Sequence, residues 1–180
     1  MKSVQKVVAI FFSGLFATAF FTACHKHDHT AAENITAIEL HLTGNGIDQV
    51  FTWEDTDGDG VANNIDTLVL PAMTQGMECS VLIFDRTEIP EVDITPEIVA
   101  EGVDHLLTYD VSNANGLVVT TLNQDANGNP LGTTSIWETR NAGADGVLTL
   151  TLYHEPTNKS NPSNPGGEVD FQVVFPVKIQ

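Results

Sequence analysis

Apolar and polar residues alternate along most of the chain after residue 34. In AIELHLTG, residues 37–44, Ile38, Leu40 and Leu42 share one set of alternating positions, and polar residues occupy the other set. This period of two predicts a strand with one buried face, because successive side chains of a strand point to opposite faces. Similar patterns predict further strands near residues 48–54, 66–70, 77–85, 103–111, 116–123, 132–139, 146–154 and 168–179.

Turn-forming residues separate these segments, as in the runs of Gly, Asn and Asp at 113–116 and 125–128. Seven to nine short strands with such turns predict an all-β fold, an antiparallel β-sandwich of immunoglobulin-like type. One short helix is predicted over residues 95–103, where Thr95 is expected to cap the helix and Pro96 to sit in its first turn. The pattern does not predict the order of the strands.

The first 23 residues have a different character. Lys2 and Lys6 precede an apolar stretch, and small residues lie just before Cys24. This arrangement predicts a signal peptide over residues 1–23. Residues 21–24 resemble the bacterial lipobox, so Cys24 is expected to be lipidated and to anchor the protein to a membrane. Residues 24–34 are polar and aperiodic and predict a flexible His-rich tether, followed by the β-sandwich domain at 35–180.

Acidic residues dominate the charge. The chain has 24 acidic and 7 basic residues and a formal net charge of −17. Such a field repels nucleic acid and anionic lipid surfaces and attracts cations. We therefore expect no nucleic-acid partner, and a membrane contact made by the lipid alone. With Cys24 acylated, Cys79 has no disulfide partner and is expected to be a small buried apolar residue.

Residues 55–66, DTDGDGVANNID, show the spacing of a calcium loop. Ca²⁺ needs six to eight oxygen ligands, which such loops supply from positions 1, 3, 5, 7, 9 and 12, with Gly at position 6. The candidate ligands are Asp55, Asp57, Asp59, the Val61 carbonyl, Asn63 and Asp66. The twelve residues resemble the loops of EF-hands, dockerins and thrombospondin type 3 repeats. Residues 55–66 differ from those loops in two respects: Asp66 is shorter than the usual Glu, and the flanking residues predict strands. The alternative interpretation is an acidic connection between strands.

Histidines provide two candidate sites for Zn²⁺ or Cu²⁺. In the tether, His25, His27 and His29 alternate and Asp28 lies between them, so that an extended chain would present three imidazoles on one side. The alternative is a hydrophilic spacer with incidental histidines.

The second candidate pair is His105 and His154, which share their faces with the apolar residues of two predicted strands. If those strand ends meet, the two imidazoles could form a rim site together with Glu155 or Asp104. The alternative is a pair of histidines at the edge of the core, each hydrogen-bonded to the backbone.

Several short motifs together carry a resemblance. They are Cys24 with the following His-Asp-His, the DTDGDG run, Asp104-His105 followed by Tyr109, and Leu152-Tyr153-His154-Glu155-Pro156. This combination is similar to a family of small lipoproteins from Bacteroidota-type bacteria, often labelled type 1 periplasmic binding fold proteins. The resemblance implies an outer-membrane lipoprotein, facing the periplasm or the cell surface, that accompanies a TonB-dependent receptor. The labelled fold is rich in helices, whereas this chain predicts one, so the β-sandwich remains the expectation.

No catalytic motif is present: the chain lacks GxSxG, HExxH, a P-loop and a dinucleotide fingerprint, and no enzyme activity is expected. The leading prediction is a lipid-anchored cell-envelope binding protein that captures metal ions as an accessory to an outer-membrane uptake receptor. The alternative is a calcium-stabilised surface interaction or adhesion module that contacts protein or glycan through its loops.

Overall fold

The computed structural model describes residues 34–112, 116–143 and 145–180. These residues belong to one compact unit, Ala32–Gln180. The predicted signal peptide, Cys24, and the tether residues His25, His27, Asp28 and His29 lie outside the described residues. Within the described part of the chain, no helix has the length and apolarity needed to span a membrane.

The strands form two sheets. The first contains β1 (Ala37–Gly44), β2 (Ile47–Glu54), β3 (Asn64–Ile65), β5 (Met77–Asp85), β6 (Val92–Asp93), β8 (Leu117–Thr121) and β9 (Thr134–Thr139). Its order is β3-β2-β1-β5-β9-β8, and β6 pairs with the end of β5. The second contains β4 (Leu68–Leu70), β7 (His105–Ser112), β10 (Gly146–His154) and β11 (Glu168–Ile179), in the order β4-β11-β10-β7. All pairings are antiparallel except that of β4 with β11.

One hydrophobic core lies between the sheets. It joins alternate residues of β1, such as Leu40, to alternate residues of β10 and β11, such as Leu150 and Phe175. Trp137 of β9 is completely buried, and its indole N–H donates to Ser135 Oγ at 2.8 Å. Each buried large apolar side chain contributes about 1.5–3 kcal/mol by leaving water. The predicted all-β sandwich is therefore confirmed.

Among the described residues there is one helix, which starts at the predicted residue but ends earlier than predicted and has a different N-cap. It spans Thr95–Ala100 (α1), and its N-cap residue is Ile94, which makes no side-chain capping bond. The prediction that Thr95 caps the helix is wrong, because its hydroxyl instead accepts a hydrogen bond from the backbone N–H of Ile83 in β5 at 2.8 Å. Thr95 thus ties the helix to the first sheet.

Cys79 is fully buried in β5, as the sequence predicts. Burial raises the pKa of its thiol to about 12, because the low-dielectric surroundings disfavour the thiolate. A thiol in this state is unreactive at neutral pH. Cys79 therefore serves the packing of the core.

A buried lysine fixes the connection between β10 and β11, residues 155–167, which we call the long loop. The Lys159 ammonium donates to Asp125 Oδ2 at 2.7 Å and to the Gly102 carbonyl at 2.6 Å. Desolvation alone would raise the pKa of Asp125, but Lys159 and two backbone amides outweigh it and lower that pKa. The ammonium therefore anchors the long loop to the residues that follow α1 and to the turn that begins at Asp125.

We predict that Lys159→Met lowers the free energy of unfolding by about 3 kcal/mol, because it leaves the buried Asp125 carboxylate without its cation. Urea denaturation followed by tryptophan fluorescence measures the change. Lys178→Met, on an exposed position of β11, is the matched control and should change stability by less than about 0.5 kcal/mol. Equal stabilities of the two variants would contradict the assigned role of Lys159.

Candidate functional site

The pairing of β7 with β10 brings the two candidate histidines together. His105 begins β7, His154 ends β10, and the two are direct partners in the antiparallel register. Their rings lie 4.9 Å apart between centroids at an interplanar angle of 76°. His105 is fully buried, and the side chain of His154 is 24% exposed. The start of β7 therefore lies beside the end of β10, which was the condition for the predicted rim site.

A β-bulge brings in the third residue. Leu152 of β10 faces Phe171 of β11, whereas Tyr153 faces Val169, so Asp170 is the extra residue of β11. Simple alternation from the buried Phe171 would point Val169 inwards and Asp170 outwards. Val169 is instead 53% exposed, and the Asp170 side chain is only 14% exposed. The bulge thus turns the carboxylate towards the histidines, which is a typical effect of such insertions.

Gly167 permits the close chain crossing beside the bulge. Its φ is +84°, and a Cβ at this position would lie 2.2 Å from the His154 carbonyl oxygen. Only glycine fits this combination of left-handed backbone and close approach. The long loop can therefore return directly against the end of β10 and deliver Asp170 to the site.

One hydrogen bond sets the tautomer of His105. Its Nδ1 lies 3.2 Å from the Glu101 carbonyl oxygen, at the C-terminal end of α1. A carbonyl oxygen can only accept, so Nδ1 carries the proton and Nε2 of the neutral ring holds a lone pair. Metal-binding histidines are oriented by a backbone carbonyl in this way.

The lone pair of His105 faces the carboxyl group of Asp170. Nε2 of His105 lies 3.9 Å from Oδ2 of Asp170, and Nδ1 of His154 lies 3.7 Å from the same oxygen. Within the described residues, His105 Nε2 and Asp170 Oδ2 are the two buried side-chain atoms without a hydrogen-bond partner. Two buried polar atoms without a hydrogen-bond partner are unfavourable, and either a proton held between them or a metal ion bound by both would offset that cost.

Burial shifts both titrating groups towards their neutral forms. Desolvation lowers the pKa of His105, and the bond to the Glu101 carbonyl offsets only part of this effect. Desolvation likewise raises the pKa of Asp170, although the two histidines draw it back in part. The neutral imidazole of His105 is the form that coordinates a metal.

His105, His154 and Asp170, which we call the His-Asp cluster, could hold a metal ion. Each offers one ligand atom within 4.8 Å of the others. Tetrahedral coordination at 2.0–2.2 Å requires a ligand separation of about 3.4 Å. The separations from Asp170 Oδ2 to His105 Nε2 and to His154 Nδ1, 3.9 and 3.7 Å, exceed it by about 0.3–0.5 Å. Glu155, the predicted carboxylate ligand, is exposed and does not belong to this group, nor does Asp104.

The acidic residues of the predicted calcium loop form a second group that could hold a metal. Asp55, Asp57 and Asp59 each place a carboxylate oxygen within 4.8 Å of the others. Asp55 is buried and accepts the backbone N–H groups of Gly58 and Gly60 at 2.8 and 2.7 Å. Desolvation alone would raise the pKa of Asp55, but these amides outweigh it and lower that pKa.

The remaining predicted calcium ligands have other contacts or lie apart. Asp66 accepts the backbone N–H of Thr52 at 2.8 Å and does not belong to the acidic group. The Asn63 side-chain oxygen accepts the backbone N–H and the hydroxyl of Thr56. Val61 is exposed. The loop joins β2 to β3, in agreement with the strand flanks predicted from the sequence.

Sequence reasoning did not identify Asp170. In EVDFQVVFPVKI the alternation assigns Asp170 to the outer face, together with Gln172 and Val174. A bulge of one residue leaves no mark in the composition, and no local signal distinguishes Asp170 from a solvated strand residue. The buried His105 could have suggested that a carboxylate must lie nearby, but not which one.

We predict that Asp170→Asn raises the free energy of unfolding of the metal-free protein by about 1 kcal/mol, because the new amide can donate to Nε2 of His105. Urea denaturation at pH 8 in the presence of a chelator measures the effect. Asp110→Asn, at an exposed position of β7, is the control and should change little. Destabilisation by Asp170→Asn would show that the carboxylate has a favourable partner of its own.

No family model matches the chain, and neither the curated proteins nor the solved structures contain a match. The function must therefore be inferred from the residues of the site.

Proposed function

We propose that the protein binds a divalent transition-metal ion at the His-Asp cluster. The observation that carries this proposal is a pair of buried atoms, His105 Nε2 and Asp170 Oδ2, which lie 3.9 Å apart, too far for a hydrogen bond, and have no hydrogen-bond partner among the described residues. Placing two such groups together costs free energy unless a cation joins them. A site that is unfavourable when empty and favourable when filled is typical of function.

The donor set favours Zn²⁺ or Cu²⁺ over calcium. Two imidazole nitrogens and one carboxylate oxygen suit borderline transition metals, whereas Ca²⁺ requires six or more oxygens. Three protein ligands leave a coordination position for water or for a ligand from another molecule. Such a position would allow the ion to be exchanged, which suits a protein that captures metal.

The sequence supports a cellular setting for this activity. The predicted signal peptide and the lipobox-like Cys24 would anchor the domain in the cell envelope, and the resemblance to small Bacteroidota-type lipoproteins suggests an outer-membrane uptake receptor of the TonB-dependent class as partner. In this proposal His25, His27 and His29 collect metal ions near the membrane, and the His-Asp cluster holds them. We propose binding rather than catalysis as the function.

We predict that the full chain binds Zn²⁺ or Cu²⁺ at the His-Asp cluster with a dissociation constant of about 1 μM or below. Calorimetric titration should show one site that persists in a variant with His25, His27 and His29 changed to Ala. His105→Gln and Asp170→Asn should each weaken that site at least about tenfold.

His41→Gln provides the matched control for this titration. His41 pairs with Glu39 at 2.7 Å on the first sheet and should not affect binding. Retained affinity in His105→Gln, or loss of all binding in the tail variant alone, would remove the His-Asp cluster from the proposal. Circular dichroism of each variant distinguishes loss of the ligand from loss of the fold.

A second proposal concerns Ca²⁺ at Asp55, Asp57 and Asp59, where it would stabilise the connection between β2 and β3. The convergence of the three carboxylates supports it. This second proposal corresponds to the alternative function predicted from the sequence, a calcium-stabilised interaction module.

We predict that saturating Ca²⁺ raises the melting temperature by about 5 °C and that Asp57→Ala abolishes the rise. Differential scanning calorimetry with and without a chelator measures it. Asp48→Ala, which removes an exposed carboxylate from β2, should preserve the effect. An identical melting temperature with and without Ca²⁺ would contradict this second proposal.

A further inference from the structure

A polar groove crosses the outer face of the second sheet, on the side opposite the core. Its volume is about 300 Å³. The floor comes from three strands, with Thr108 and Asp110 on β7, Thr151 on β10 and Gln172 on β11. Tyr153 of β10 and Pro162 of the long loop also line it. None of these residues belongs to either metal-binding group.

The long loop creates the groove by folding over the sheet. Thr151 lies on the outer face, yet only 4% of its surface is exposed. Hydrogen bonds within the loop hold it in shape: the Asn158 N–H donates to the Pro165 carbonyl at 2.8 Å, and the Asn161 N–H to the Asn158 carbonyl at 3.1 Å. Lys159 anchors the first half of the loop. The loop therefore forms a fixed wall of the groove rather than a flexible one.

The polar groups of the groove retain hydrogen-bonding capacity. Gln172 donates one N–H to the Thr151 hydroxyl at 3.1 Å, which leaves an amide oxygen and a second N–H. The side chains of Tyr153 and Asp110 make no hydrogen bond to other described residues. Convergent donors and acceptors on the floor of a groove are typical of sites that fix a polar ligand.

The lining restricts the class of ligand. The one charged side chain is Asp110, and the chain as a whole is strongly acidic, which disfavours phosphates, nucleic acids and acidic polymers. No apolar pocket is present in the lining to receive a lipid chain or the anchor residue of a peptide. The lining favours a neutral ligand with many hydroxyl groups and an apolar side that can pack on an aromatic ring or a proline.

We propose that this groove binds a neutral carbohydrate chain. A pyranose ring presents hydroxyls at its rim, which match the carboxylate of Asp110 and the amide of Gln172, and a face of C–H groups, which matches the Tyr153 ring. The polar floor spans three neighbouring strands, which gives successive sugar units of a chain a surface to contact. This proposal does not depend on metal binding at the His-Asp cluster.

Affinity electrophoresis of the full chain in gels containing glucan, mannan, xylan or galactan tests the proposal. At least one polymer should retard the protein, and calorimetry with oligosaccharides of that polymer should give the same preference. Tyr153→Ala and Asp110→Ala should each weaken binding at least about fivefold. Val174→Ala, on the same outer face of β11 but outside the groove, should bind as the unmodified protein does.

Three outcomes would overturn the proposal: no retardation by any neutral polymer, retardation of Tyr153→Ala and Asp110→Ala equal to that of the unmodified protein, or binding to a peptide library with no binding to the polymers. Repeating the oligosaccharide titration in the presence of a chelator distinguishes carbohydrate binding at the groove from metal binding at the His-Asp cluster. Carbohydrate binding that persists in chelator supports the groove even if the His-Asp cluster proves not to bind metal. Because Asp110 is exposed, its substitution tests the groove without disturbing the core.

Discussion

Packing of the inward faces of the two sheets against each other is the interaction on which the rest of the structure depends. Every second residue of the long strands must be apolar and must lie in register with its neighbours, since one core serves both sheets. This constraint makes an inward-facing polar residue costly. His105 is such a residue, fully buried at the rim of the core. Because burying its imidazole is costly, polar groups must lie beside it.

The β-bulge at Asp170 is the local departure from this regular packing that creates the candidate site. It inverts the alternation at the start of β11, exposes Val169 and directs a carboxylate to the rim beside His105 and His154. Regular pairing would have placed Val169 there and completed the apolar layer. The irregularity replaces an apolar contact with two buried polar atoms that have no hydrogen-bond partner among the described residues, which lowers stability.

The long loop connects the inner and outer faces of the second sheet. It leaves β10 at His154 and returns through Gly167 to Asp170, so its two ends carry two members of the His-Asp cluster. Its middle lines the groove on the outer face. Lys159 holds the loop through a buried ion pair with Asp125, and one anchored segment therefore supports both proposed binding sites.

Local patterns in the sequence determined much of this protein. Period-two alternation predicted the long strands and the β-sandwich, because the direction of a strand side chain depends only on its position in the chain. The carboxylates of residues 55–59 were also predictable, since neighbouring residues converge through one turn. Only the tertiary structure decided that His105 and His154 are partners, that Asp170 rather than Glu155 completes their cluster, and that the long loop covers the outer face. These features depend on strand register, a bulge and a buried ion pair between residues distant in the chain, which no local pattern records.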